Sequence, residues 1–167
     1  MREEKALLER AAMRMFQQAL RLRFERELHI VEQRERPDFL VTDDVGRCIG
    51  VEITHLYHSE EEARFLNGRS YTGIHPITTV DLLLDALNLN LQKKAGLSYG
   101  YDQFEGLVLV VRVTPPFVQK QVIIEQHERI VVPRSAFEEI WMLFYDPDHL
   151  GWADLLRLDQ WKSPEES

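Results

Sequence analysis

The segment 106–114 (GLVLVVRVT) constrains the fold more than any other part of the chain. Strand side chains alternate between faces, so an almost unbroken apolar, β-branched run needs cover on both sides. Such a strand lies inside a sheet with helices packed on its two faces. Pro115-Pro116 ends it, because proline cannot donate to a ladder.

Two amphipathic segments can supply the cover. In 3–27, Leu8, Ala11, Ala12, Met15, Phe16, Ala19, Leu20 and Leu22 recur at helical spacing, and Arg10, Arg14, Gln17 and Arg21 form a polar stripe on another side. In 79–95, Val80, Leu84, Leu87 and Leu91 form an apolar stripe, with Gly96 as its stop. Between them, 28–33 and 38–43 read as strands. Asp44-Val45-Gly46 reads as a turn, and 47–54 as the returning strand. On that strand Ile49, Val51 and Ile53 share one face, and Cys48, Gly50, Glu52 and Thr54 share the other.

The remaining segments are read from spacing and composition. Residues 59–66 suit a short helix and 67–76 a loop; 118–132 suit one or two strands. Ser135 and Glu138 have capping-box spacing, which predicts a helix carrying Phe137, Ile140, Trp141 and Phe144. Residues 162–167 read as an exposed tail. The order helix, antiparallel strands, helix, buried strand gives an α/β (α+β) fold with a mixed sheet.

Composition limits the function classes. At 44% hydrophobic and 29% charged residues, 1–167 read as a single globular domain. No apolar run reaches the ~18–20 residues of a membrane span, and the charged start lacks a secretory signal core, so the expectation is no membrane partner. One cysteine, Cys48, excludes an internal disulfide and suits a reducing cytoplasm. The net charge of −8 argues against unspecific binding to polyanions. All of that charge lies in 48–167, since 1–47 are balanced, so an anion-binding surface is expected in the N-terminal third.

Two carboxylates carry the chemical expectation. Glu52 stands among valine and isoleucine, where a charge is costly unless it is solvated, paired or bound to a cation. Pairing about the 44–46 turn sets Asp38 opposite roughly position 52. Neighbouring carboxylates both ionise only with positive charge between them, and a hard cation such as Mg²⁺ or Mn²⁺ fits. The competing reading gives Glu52 an arginine partner and leaves Asp38 as a strand start.

Pro37-Asp38 and Val51-Glu52-Ile53-Thr54 resemble the motif of the PD-(D/E)xK nuclease superfamily, the restriction-endonuclease-like fold. In that superfamily a helix, three strands, a helix and a fourth strand form the core, which would cover residues 3–114, with further strands and a helix after it here. The resemblance implies metal-dependent hydrolysis of phosphodiester bonds in nucleic acid, with DNA preferred. Asp38, Glu52 and the Ile53 carbonyl would hold the metal. An acidic residue from the first helix would complete the site, with Glu27 best placed and Glu25 and Glu32 as alternatives. A homodimer would allow both strands of a duplex to be cut, and a partner protein would supply missing basic surface.

The chain departs from the motif at Thr54, which stands where the superfamily has lysine. Some members carry that lysine on the following helix. Lys94 falls on the inward stripe three residues after Leu91 and is the favoured substitute, with Lys93 second. Helix-end lysines complementing the dipole are the alternative. His55 and His58 are too few for a structural zinc site. Arg64 and Arg69, or the arginine stripe, are candidate phosphate contacts. The three tryptophans and Cys48 read as packing residues. A catalytically inactive nuclease-fold protein serving as a binding or assembly module is the alternative function. An unrelated fold would leave Asp38 and Glu52 apart.

Overall fold

A computed structural model describes residues 2–56, 79–114, 118–146 and 151–162. The segment 57–78, with the expected helix 59–66, His58, Arg64 and Arg69, lies outside the described residues, as do 115–117 and 163–167. The chain runs α1 (Arg2–Phe24), β1 (His29–Gln33), β2 (Phe39–Thr42), β3 (Cys48–Leu56), α2 (Val80–Ser98), β4 (Leu107–Val113), α3 (Lys120–Glu125), β5 (Glu139–Asp146) and β6 (Gly151–Arg157). Among the described residues this is a mixed α/β structure with a six-stranded sheet in the order β1-β2-β3-β4-β5-β6. The β3–β4 and β4–β5 pairs are parallel, and the others antiparallel. No helix among the described residues is long and apolar enough to cross a membrane.

β4 is covered on both faces, as its composition requires. Val108 and Val110 pack with Phe16, Leu20, Val51 and Trp141 beneath α1. Leu107, Leu109, Val111 and Val113 pack with Leu83, Leu87 and Leu91 of α2. The predicted alternation of β3 holds, with Ile49, Val51 and Ile53 on the α1 side.

Several expectations are corrected. The helix expected from Ser135 is strand β5. The Ser135 hydroxyl does cap locally, accepting from Phe137 N–H at 3.2 Å. Residues 139–143 nevertheless pair with 108–112 of β4, and their alternation sends Trp141 and Leu143 to one core and Ile140, Met142 and Phe144 to the other. An apolar run buried on both faces does not reveal helix or strand by period alone.

The strands expected in 118–132 are α3 and a short turn at His127–Arg129. β4 already has β3 and β5 as neighbours, so no ladder position beside it remains, and α3 instead sinks Ile123 into the α2-side core. Helix α1 ends at Phe24, and Glu25 follows with φ 53°. Its buried stripe includes Met13, while Leu22 is exposed. Gly96 does not stop α2, which continues to Ser98. Buried Ala95 and Ser98 pack the last turn and outweigh the roughly 1 kcal/mol helical cost of glycine. Lys162, expected in an exposed tail, is half-buried and donates to the Phe137 carbonyl at 2.7 Å.

Candidate metal centre

The β2–β3 hairpin sets the site. Gly46 occupies its turn at φ 82°, a left-handed conformation that glycine adopts without penalty. The register Phe39↔Val51 and Leu40↔Gly50 extends to Asp38 opposite Glu52. Gly50 N–H donates to the Gly106 carbonyl, so even-numbered backbone groups of β3 face β4 and odd-numbered ones face β2. Asp38 and Glu52 are therefore a non-hydrogen-bonded pair, the arrangement with the closer side chains. Asp38 N–H donates to Glu52 Oε1 at 3.2 Å, and Asp38 Oδ2 accepts from Ile53 N–H at 2.8 Å.

Proline at 37 has a local consequence. Continued register would set it opposite Ile53, whose N–H and C=O face the β2 side. Proline has no N–H, so the ladder offers the Ile53 carbonyl no donor at this position. Space above Gly50 is filled by this proline. A Cβ on Gly50 would meet Pro37 Cγ at 2.5 Å and Leu107 Cδ2 at 2.8 Å.

Helix α2 and the loop after it bring two donors to Glu52. Lys94 Nζ and the Tyr101 hydroxyl both donate to Glu52 Oε2, at 3.0 and 2.8 Å. The loop carrying Tyr101 is fastened next to Asp38: Asp102 pairs with Arg34, and its N–H donates to the Arg36 carbonyl at 3.2 Å. One turn before Lys94, Asn90 Nδ2 donates to Thr54 Oγ1 at 2.8 Å. The lysine position of the motif is thus occupied by a hydroxyl tied to α2.

These groups open onto a cavity of about 320 Å³ lined by Lys5, Glu9, Asp38, Glu52, Ile53, Thr54, His55, Asn90, Lys93 and Lys94. Burial pushes the Asp38 carboxyl up to about 9, assisted by the negative charges of Glu52 and Glu9. Glu52 goes the other way. Burial raises it, but the Lys94 charge and hydrogen bonds from Asp38, Lys94 and Tyr101 outweigh that and hold it below the usual carboxylate range. The pair therefore shares one proton. Glu9 is raised by burial and, less, by Glu52, against the lowering charge of Lys5. His55 is pushed down to about 3 by burial and then by the Arg112 charge, so its imidazole is neutral at pH 7.

Asp38, Glu52, Ile53 and Lys94 thus line one cavity, and Lys93 stands exposed at its rim. Glu27 is not among its lining residues. It lies on the surface with His29 and Asp44, their ligand atoms within 4.8 Å of one another. Glu25 and Glu32 are exposed and also lie off the cavity. The acidic residue that α1 does contribute is Glu9, which sequence reasoning missed. A signal existed, because Glu9 is in step with the buried Met13, Phe16 and Leu20 at intervals of four, three and four. Tyr101 had no such signal, since it follows the helix.

The arginine stripe lies apart from this cavity. Arg10 donates to Gln33 at 3.1 Å, and Arg14, Gln17 and Arg21 border a separate hollow with Glu27, Leu28 and His29. Trp141 is core, and Trp161 stacks on His127. Comparison with family models, characterised proteins and solved structures found no match to the chain.

Proposed function

We propose that the chain is a divalent-metal-dependent nuclease of the PD-(D/E)xK, restriction-endonuclease-like type, hydrolysing phosphodiester bonds in nucleic acid, with DNA preferred. The observation that carries this reading is the cross-strand Asp38–Glu52 pair, joined by Lys94 at 3.0 Å, in a cavity open to solvent. The αβββαβ order of the described residues between 2 and 113 supports it.

The donor set fits Mg²⁺ or Mn²⁺. Two carboxylates and a strand carbonyl without a ladder donor are hard oxygen ligands. Asp38 keeps a proton against Glu52 and Glu9, and a divalent charge between them would replace it. Bound there, such a cation supplies charge that lowers the pKa of water and neutralises a phosphoryl oxygen. Asp38, Glu52 and the Ile53 carbonyl would hold it, with Glu9 adding negative charge from α1. Lys94, anchored on Glu52, sets an ammonium beside the reacting phosphate in place of the lysine that Thr54 lacks. Lys5 and Lys93 at the rim would hold flanking phosphates. A second copy or a partner protein would add the basic surface a chain of net charge −8 needs.

The alternative, a binding or assembly module on the same fold, draws on Thr54, which Asn90 already engages. Labelled single- and double-stranded oligonucleotides incubated with Mg²⁺ or Mn²⁺ separate the two. The nuclease reading expects cleavage that falls about 100-fold or more in Asp38→Ala and Lys94→Ala. Undiminished cleavage by folded Asp38→Ala contradicts it, and oligonucleotide binding without cleavage favours the module.

A further inference from the structure

Helix α2 and strand β3 are joined by two parallel cross-links. Lys94 reaches Glu52 at 3.0 Å, and one turn earlier Asn90 reaches Thr54 at 2.8 Å. Residues one turn apart on a helix stand about 5–6 Å apart, and alternate residues of a strand about 6.6 Å, so the cross-links are separated by roughly 6 Å. That is about two hydrogen-bond lengths, the gap a single water spans.

The second cross-link is incomplete. Asn90 Oδ1 is buried and has no hydrogen-bond partner among the described residues. A buried acceptor left without a donor costs about 1–3 kcal/mol. Thr54 Oγ1 uses a lone pair for Asn90 and keeps its own proton to give. Both residues line the cavity that holds the carboxylate pair. The group that fills this place must donate to Oδ1. A phosphodiester oxygen carries no proton at neutral pH and cannot. Water can donate to Oδ1 and accept from Thr54 or Lys94, which gives it the two to four polar partners a buried water needs.

We infer that Asn90, with Thr54, holds an ordered water between the two cross-links, and that in the nuclease reaction proposed above this is the attacking water. Asn90 is then a water-positioning residue. Its amide oxygen fixes one proton of the water, so that a lone pair is presented towards a phosphate held at the Lys94 side of the cavity; attack forms a P–O bond as the bond to the leaving sugar oxygen breaks, the water's other proton passes to solvent in the open cavity, and the leaving oxygen takes a proton from solvent. This inference rests on the nuclease reading for the role of the water, but not for its presence.

The test has two readouts. High-resolution crystal structures of the full chain, with and without Mg²⁺, are expected to show a water about 3 Å from Asn90 Oδ1 with a second contact to Thr54, Lys94 or Glu52. Asn90→Asp keeps the acceptor and should keep the water, while Asn90→Leu should lose it. In oligonucleotide cleavage, Asn90→Leu is expected to lower kcat about 30-fold or more with KM unchanged, and Asn90→Asp to recover most of the loss. A dry Oδ1 in the native chain, a metal ion at that oxygen, or an unchanged kcat in Asn90→Leu overturns the inference. If Asn90→Leu does not fold, the native and Asn90→Asp structures and the Asn90→Asp rate decide it. A native chain that shows the water but cleaves nothing overturns the attacking role and counts against the nuclease reading, while the water at Asn90 stands.

Discussion

Asp38 and Glu52 face each other across β2 and β3, and the Asp38 N–H donates to Glu52 Oε1 at 3.2 Å. Two carboxylates in that relation, Glu52 buried and Asp38 partly buried, cannot both be ionised without help. Lys94 and Tyr101 give that help to Glu52 alone, so the proton stays on Asp38. The asymmetry has consequences for stability and for metal binding.

The first consequence is a pH dependence. In the metal-free protein Asp38 holds its proton up to about 9, whereas an unfolded aspartate loses it near pH 4. Between those values the native state binds more protons, so the Asp38 contribution is greatest below about pH 4 and is lost as pH rises towards 9. Glu52 has the opposite sign, its contribution being lost as pH falls through its lowered pKa. His55, pushed down to about 3, stops contributing to the slope above its unfolded pKa of about 6.5. The window from about pH 7 to 9 therefore reports Asp38. Urea midpoints of chelator-treated protein should fall across it, and Asp38→Asn should flatten the fall. A native midpoint that rises across this window would count against the shared proton.

Gly50→Ala tests the packing that holds Asp38. The added methyl would stand 2.5 Å from Pro37 Cγ, which must move, and the adjacent Asp38 with it. Denaturant unfolding should show a loss of about 1–3 kcal/mol, and affinity for Mn²⁺ should fall. Unchanged stability would mean that the proline ring is not fixed over β3.

Lys94 and Tyr101 share one acceptor, so their losses should not add. Tyr101→Phe is expected to cost about 1.5–3 kcal/mol, the range for a hydrogen bond to a charged group. Lys94→Met is expected to cost a similar amount, because a carboxylate only 7% exposed keeps Tyr101 and the protonated Asp38 as side-chain donors. The double variant should lose more than the sum of the two, a coupling of at least about 0.5 kcal/mol in a double-mutant cycle. Strict additivity would show that the two donors do not compensate for each other.

Much of this arrangement was legible in the sequence where local rules and tertiary structure agree. The 44–46 turn fixes the hairpin register and so the Asp38–Glu52 opposition, and helical spacing puts Lys94 on the inner face of α2. The C-terminal half was harder. Segment 139–146 is apolar on both faces and fits a helix or a strand equally, and only the free edge of β4 decides between them. Segment 118–132 has strand-like composition but no ladder position beside β4. At the site, Glu9 lay hidden beside an apolar stripe read through Leu8 and Ala12; Ala12 is buried as expected, but Met13, which is in step with Glu9, was left out of that stripe. Tyr101 and the Asn90–Thr54 link depend on how a loop and a helix dock on β3, which periodicity does not encode.

Calorimetric titration of the native chain and of Asp38→Ala/Glu52→Ala with Mn²⁺, in two buffers of different ionisation enthalpy at pH 7, reads out whether the carboxylate pair exchanges its proton for a cation. Stoichiometric binding by the native chain, release of about one proton per cation as Asp38 ionises, and loss of both in the double variant are expected. Equal binding by the two proteins, or native binding without proton release, would contradict that exchange.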